Sequence, residues 1–273
     1  MKIKNVLFLL SVVLFFLGCN KTKTSLESME IEEVKVNEIK YYEKNPKYAS
    51  YKFDISIQLP KCQKDTIVCS LRKVIIESIF NINIDTTDTK TAINRYMLER
   101  SDSFQEPEAI YLKNNRSTNQ MWSKLDCKFV YSTKDLLSYK VLEEYFTGGA
   151  HPNKDRYYFN YDFSLARKLN NEDIFKPTAK DDIRLKEILL KQLMKQENAK
   201  QIADLNLFDV ESPKDFMISP IIYFDSANVV FSYGDSDIRA YAYGAPEIKI
   251  PIKQAMEFFK EDFKNRHFSE KTH

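Results

Sequence analysis

Two short segments hold the residues whose types and spacing could do chemistry. The first is Thr147-Gly148-Gly149-Ala150-His151-Pro152-Asn153. After residue 18 the chain keeps four glycines, at 148, 149, 234 and 244; a chain of this size averages roughly 18. Two of the four stand side by side here. Glycine is required where φ turns positive or where another group must come close, and Pro152 pushes His151 toward extended backbone. The segment reads as a stiff turn that presents an imidazole, with the Asn153 amide beside it. Such an imidazole serves either as a general base or as a ligand contact; the bland alternative is a structural turn whose histidine bonds nearby backbone. The second segment is Tyr241-Ala242-Tyr243-Gly244-Ala245-Pro246, between two strands. Its tyrosines, spaced by small residues, offer flat amphipathic faces to a sugar ring or a partner, or else line the rim of a core. The candidate ligand contacts are therefore Gly148, Gly149, His151, Asn153, Tyr241 and Tyr243.

Other chemistries find little footing. The sequence contains no phosphate-binding glycine loop and no nucleophile elbow. The three histidines, 151, 267 and 273, have no metal spacing, and two of them fall in what reads as a terminal tail. No metal and no cofactor is expected. Glu143-Glu144 lies on a strand, where neighbours point to opposite faces. Asp181-Asp182 opens a helix, where acidic groups suit the positive end of the dipole. Both pairs read as solvated surface. Of the four cysteines, Cys62 and Cys69 flank the connection between a strand and a helix; they form either a local disulfide or two buried thiols.

The elements that would position these residues follow from periodicity. Tyr51, Phe53, Ile55, Ile57 and Leu59 alternate with polar residues, a strand with one buried face. Residues 33–42 can pair with it. Helices fit 69–80 and 87–100, strands fit 124–132, 136–146 and 156–163, and a long amphipathic helix fits 180–198. Strands follow at 221–224, 228–233 and 246–252, and a final helix at 253–265. Strands and helices come in clusters, which predicts an α+β fold of antiparallel sheets with packed helices. Two closely associated subdomains are expected, 33–153 and 154–265, with a tail at 266–273.

The N-terminus reads as an address. Met1-Lys2-Ile3-Lys4-Asn5 is a short basic segment, and Val6–Leu17 is apolar except for Ser11. Twelve residues are too few for a bilayer, which takes about 20 in a helix. Leu17-Gly18-Cys19 then resembles the bacterial lipobox, in which the cysteine is cleaved free and acylated. Residues 1–18 are expected to be a signal peptide, Cys19 the lipid anchor and 19–32 a polar tether. The body would lie in the cell envelope, outside the cytoplasm, held to the membrane through acyl chains. With 41 basic and 39 acidic residues the formal charge is +2. Lys2 and Lys4 leave with the leader, and the remainder is neutral. A neutral body has no broad electrostatic attraction to nucleic acid.

The segments in series resemble the RsiV-like envelope family of bacteria. The matching pieces are Tyr145-Phe146-Thr147-Gly148-Gly149-Ala150-His151, Asn160-Tyr161-Asp162, Asn171-Glu172-Asp173-Ile174-Phe175, Val230-Phe231-Ser232-Tyr233, Ala240-Tyr241-Ala242-Tyr243-Gly244 and Ile250-Pro251. The likeness spans about residues 50–260. It departs from the family at Asp237-Ile238-Arg239, where an acidic-apolar pair is expected. The family includes a lysozyme-sensing anti-sigma factor and the N-terminal region of peptidoglycan deacetylases. Neither the deacetylase domain nor the sigma-binding segment accompanies the matching pieces, so neither activity is implied. The resemblance implies a two-part α+β fold meeting near the Gly-Gly-Ala-His turn. It also implies a non-enzymatic lipoprotein whose ligand is a peptidoglycan-type glycan or a lysozyme-like protein. The alternatives are a glycan hydrolase using His151 as base and a structural lipoprotein binding another envelope protein.

Overall fold

A computed structural model describes residues 29–41, 50–63, 65–81, 88–102, 121–148 and 151–268. Cys19, the leader, Gly149 and Ala150 lie outside the described residues. So does most of the 19–32 tether, and β1 begins inside that span, at Ile31.

Among the described residues, nine strands form two sheets. The larger has the order β1 (Ile31–Tyr41), β2 (Ser50–Pro60), β3 (Met121–Ser132), β4 (Leu136–Phe146), β5 (Asn153–Asp162), β6 (Arg167–Leu169). The smaller is β7 (Ile222–Phe224), β8 (Asn228–Ser232), β9 (Glu247–Pro251). Every pairing is antiparallel except β2–β3, which is parallel. The exception has a topological cause. The chain between those strands runs through helices α1 (Thr66–Phe80) and α2 (Thr89–Asp102), and such a crossover returns it in the same direction. The fold is α+β.

Alternation in β2 does what its pattern dictates. Tyr51, Phe53, Ile55, Ile57 and Leu59 are buried under α1 and α2. Asp65 caps α1 by accepting from Ile67 N at 2.8 Å, and Asn81, left-handed at φ 48°, ends it. The face between them buries Leu71, Ile75, Ile76 and Phe80. Each such side chain contributes about 1.5–3 kcal/mol relative to exposure. Cys62 and Cys69 are joined by a disulfide across the β2–α1 connection, and Cys127 is a buried thiol.

The opposite face of the large sheet meets the small one. Tyr158 of β5 stacks on Tyr223 of β7 at 4.1 Å. Glu247 of β9 accepts from both hydroxyls, at 2.7 and 3.1 Å. Deeper in, Ser138 Oγ donates to Asn160 Oδ1 at 2.6 Å, Asn160 Nδ2 donates to Ile222 O, and Phe224 N donates to Ser138 Oγ. All groups of this buried pin are satisfied, which fixes the register of one sheet on the other. Beyond the small sheet lies a second core. It is built on α3 (Asn171–Ile174), α4 (Ile183–Glu197), α5 (Ile252–Ala255) and α6 (Glu261–His267), with Phe216, Phe224, Phe231, Phe258, Phe259 and Phe263.

Three features differ from the sequence reading. The expected boundary at 153/154 falls inside the large sheet, because β5 forms a hairpin with β4 and β6 extends it to Leu169. The expected helix 253–265 is broken: Phe259 leaves helical geometry to bridge to Phe175, and Lys260 is extended before α6. The expected tail at 266–273 starts inside α6. Arg266 and His267 pack onto Asp162, which is fully buried and also accepts from the Ser164 and Leu165 amides.

Candidate functional site

The β4–β5 hairpin pairs Tyr145 with Asn153, and the turn between them carries His151. Gly148 takes φ +108°, a conformation that side chains rarely adopt, and a Cβ there would project into open space. The glycine is thus required by backbone conformation and not by crowding. His151, Pro152 and Asn153 are exposed. His151 Nδ1 lies 3.1 Å from Pro152 O, its one hydrogen bond among the described residues.

The second segment lies between β8 and β9. Tyr241–Tyr243 forms a 3-10 turn ended by Gly244 at φ +72°, whose N–H donates to Tyr241 O. Arg239 fixes this turn from beneath. It is 5% exposed, its Nε donates to Gly244 O at 2.9 Å, and its guanidinium pairs with Glu197 of α4 at 2.8 Å. Upstream, Gly234 N donates to Asp237 Oδ2 at 2.6 Å, closing the loop that leads to Arg239.

The fold brings the two segments together. The rings of His151 and Tyr241 stack at 4.5 Å and 14°. Tyr241 and Tyr243 are 44% and 52% exposed. The result is an exposed aromatic surface held by the β4–β5 hairpin on one side and a buried arginine on the other. It can offer ring faces to the apolar face of a sugar, and phenolic hydroxyls and an imidazole to its hydroxyls. No serine, cysteine or carboxylate bonds His151 among the described residues. Groups of three or more metal-ligating side chains are absent among the described residues.

Sequence reasoning missed a polar cluster on the helix side of the large sheet. Glu143 and Glu144 do point to opposite faces, but only Glu144 meets a surface lysine, Lys154, at 2.8 Å. Glu143 turns in under α2. It accepts from Tyr96 OH at 2.6 Å, from Ser123 Oγ at 3.2 Å and from Arg100 at 2.7 Å. Arg100 also lies over the Tyr145 ring at 4.9 Å. Burial, then the Glu143 charge, raises the Tyr96 phenol far above its usual range. Burial also pushes Tyr51 up to about 12. Asp155, directly opposite Glu143, is raised by burial and by that same carboxylate. The available signal was parity: Glu143 shares a strand face with Tyr139 and Val141, which are buried. His267 was missed for the converse reason, since closeness to the terminus hid a side chain only 1% exposed.

No helix of the described residues is long and apolar enough to cross a membrane. A search of curated proteins finds no match. A solved structure of a DUF3298 family member from Bacteroides fragilis matches with a TM-score of 0.74 at 21% identity, covering 89% of this chain and 98% of that one. A DUF3298 family protein from Pseudomonas aeruginosa matches with a TM-score of 0.61 at 17% identity, over 86% and 96%. Those likenesses carry the fold alone. Residues 172–253, which include Tyr241, Tyr243 and Gly244 but not His151, match the family described as a protein of unknown function, DUF3298.

Proposed function

We propose that the protein is a non-enzymatic, lipid-anchored envelope protein that binds a wall-related ligand through the His151–Tyr241–Tyr243 surface, and that the ligand is a peptidoglycan-type glycan. The stack of His151 on Tyr241, with Tyr243 exposed beside it, is the observation that supports this reading. Two loops far apart in sequence converge to expose flat rings where a folded protein would ordinarily bury them. The lipobox at Leu17-Gly18-Cys19 supports the anchor and the compartment, and the RsiV-like resemblance supports a wall-related ligand. That resemblance also motivates a lysozyme-like protein as the partner.

The hydrolase alternative draws nothing from the surroundings of His151, whose ring is engaged by a neighbouring carbonyl and a tyrosine face. Pull-down on purified peptidoglycan and on immobilised lysozyme tests the reading. Retention on peptidoglycan that is lost in Tyr241→Ala is expected; retention on neither would refute it. For the anchor, mass spectrometry of the N-terminal peptide should find acyl groups on Cys19, and an unmodified Cys19 in membrane-grown protein would refute it.

A further inference from the structure

We propose a second ligand site, for an amphiphilic anion, in the cleft between α3 with its downstream turn and the 218–220 lead-in to β7. It shares no residue with the His151–Tyr241 surface, so its test stands apart from the reading above. The cleft encloses about 450 Å³, within the range of small-molecule pockets. Its floor is apolar: Phe231 and Leu185 are 1% exposed and Ala179 3%. Its mouth is basic. Lys176 and Lys180 are exposed and Lys260 is half-buried, while Glu172 is the one carboxylate among the lining residues.

The mouth is set by backbone. Lys176 N donates to Phe258 O and Lys260 N donates to Ile174 O, both at 2.9 Å, around the Phe175–Phe259 bridge. This pairing, the one that breaks the C-terminal helix, delivers Lys260 to the cleft. Lys176 already donates its ammonium to Glu257 O at 2.7 Å. The ammonium groups of Lys180 and Lys260 make no hydrogen bond or ion pair among the described residues, although the Lys260 charge helps hold the Asp173 carboxyl below its usual range. An apolar floor beneath two ammonium groups that hold no hydrogen bond suits a molecule with an apolar chain and a carboxylate or phosphate head. The chain displaces water from the floor, and the head meets the two point charges.

The test is calorimetric titration of the purified protein with dodecanoate, dodecyl phosphate and dodecyl maltoside, each below its micelle concentration and at low salt. One-to-one binding of at least one anion is expected, about tenfold tighter than the neutral maltoside. The tighter of the two anions identifies the head group as carboxylate or phosphate. Lys180→Gln with Lys260→Gln, at one exposed and one half-buried position, should weaken it about tenfold together, and added salt should weaken it further. Ile218→Trp, which fills the cleft, should abolish binding. Absence of saturable binding, equal affinity for the maltoside, or an unchanged affinity in the double lysine variant would overturn the proposal.

Discussion

Asp162 ties the C-terminal helix to the large sheet, and its replacement by asparagine tests that tie. Its carboxylate is fully buried and accepts four hydrogen bonds: Ser164 N at 2.8 Å, Leu165 N at 3.0 Å, Arg266 Nε at 3.0 Å and His267 Nε2 at 3.1 Å. In Asp162→Asn the side-chain amide would keep the oxygen that serves the two backbone N–H groups but turn an NH2 toward the two side-chain donors. Breaking a buried charged pair costs about 3–5 kcal/mol. Arg266 is 28% exposed and can turn to water, so the lower end applies here. About 3 kcal/mol corresponds to a fall in Tm of about 6–12 °C for a chain of this size. The effect carries a pH signature. Burial disfavours ionisation of Asp162, but the hydrogen bond from His267, the Leu165 amide and the Arg266 charge outweigh it and hold the carboxyl below its usual range. A carboxyl depressed in the folded state stabilises fully above its unfolded value of about 3.9, and that contribution is lost as pH falls through the folded value. The gap in Tm between wild type and Asp162→Asn, followed by calorimetry, should therefore shrink below about pH 4. A gap under about 2 °C at pH 7, well short of the range expected for a chain of this size, or one that widens in acid, would refute the tie.

Other perturbations separate structure from recognition. Asn160→Ala leaves Ser138 Oγ and Ile222 O without their partner between the sheets and should cost about 1–3 kcal/mol in denaturant unfolding. Cys62→Ser opens a loop of seven-residue separation, worth about 2–3 kcal/mol by loop-closure entropy, read as the midpoint shift against wild type and abolished when both are reduced. Gly148→Ala forces a side chain to φ +108° in open space and should cost about 1–2 kcal/mol in thermal unfolding.

Most of the fold was legible in the residues. Alternation in β2 and β3 placed both strands, because each has one face against a core. The helix–strand order gave the α+β class. What periodicity could not supply was pairing. The parallel β2–β3 contact depends on the crossover through α1 and α2, and β5 reads as the start of a new unit although it closes a hairpin on β4. The final helix was over-extended because Phe258, Phe259 and Phe263 fit one face, whereas the Phe175–Phe259 bridge interrupts it. For the site, glycine scarcity and Pro152 marked the His151 turn, and aromatic spacing marked Tyr241 and Tyr243. Their convergence was a matter of tertiary packing, and so was the part of Arg239, a charged residue on a loop that nothing local distinguishes from solvent-facing arginines.

The central claim is that exposed rings at the junction of two loops bind wall glycan. Co-sedimentation with purified peptidoglycan, comparing wild type with His151→Ala/Tyr241→Ala, tests it most directly. Both rings are exposed or stacked on one another, so stability should move by no more than about 0.5 kcal/mol, while loss of two aromatic contacts should weaken binding about tenfold or more. Equal retention of the two proteins, with folding intact, would contradict the account.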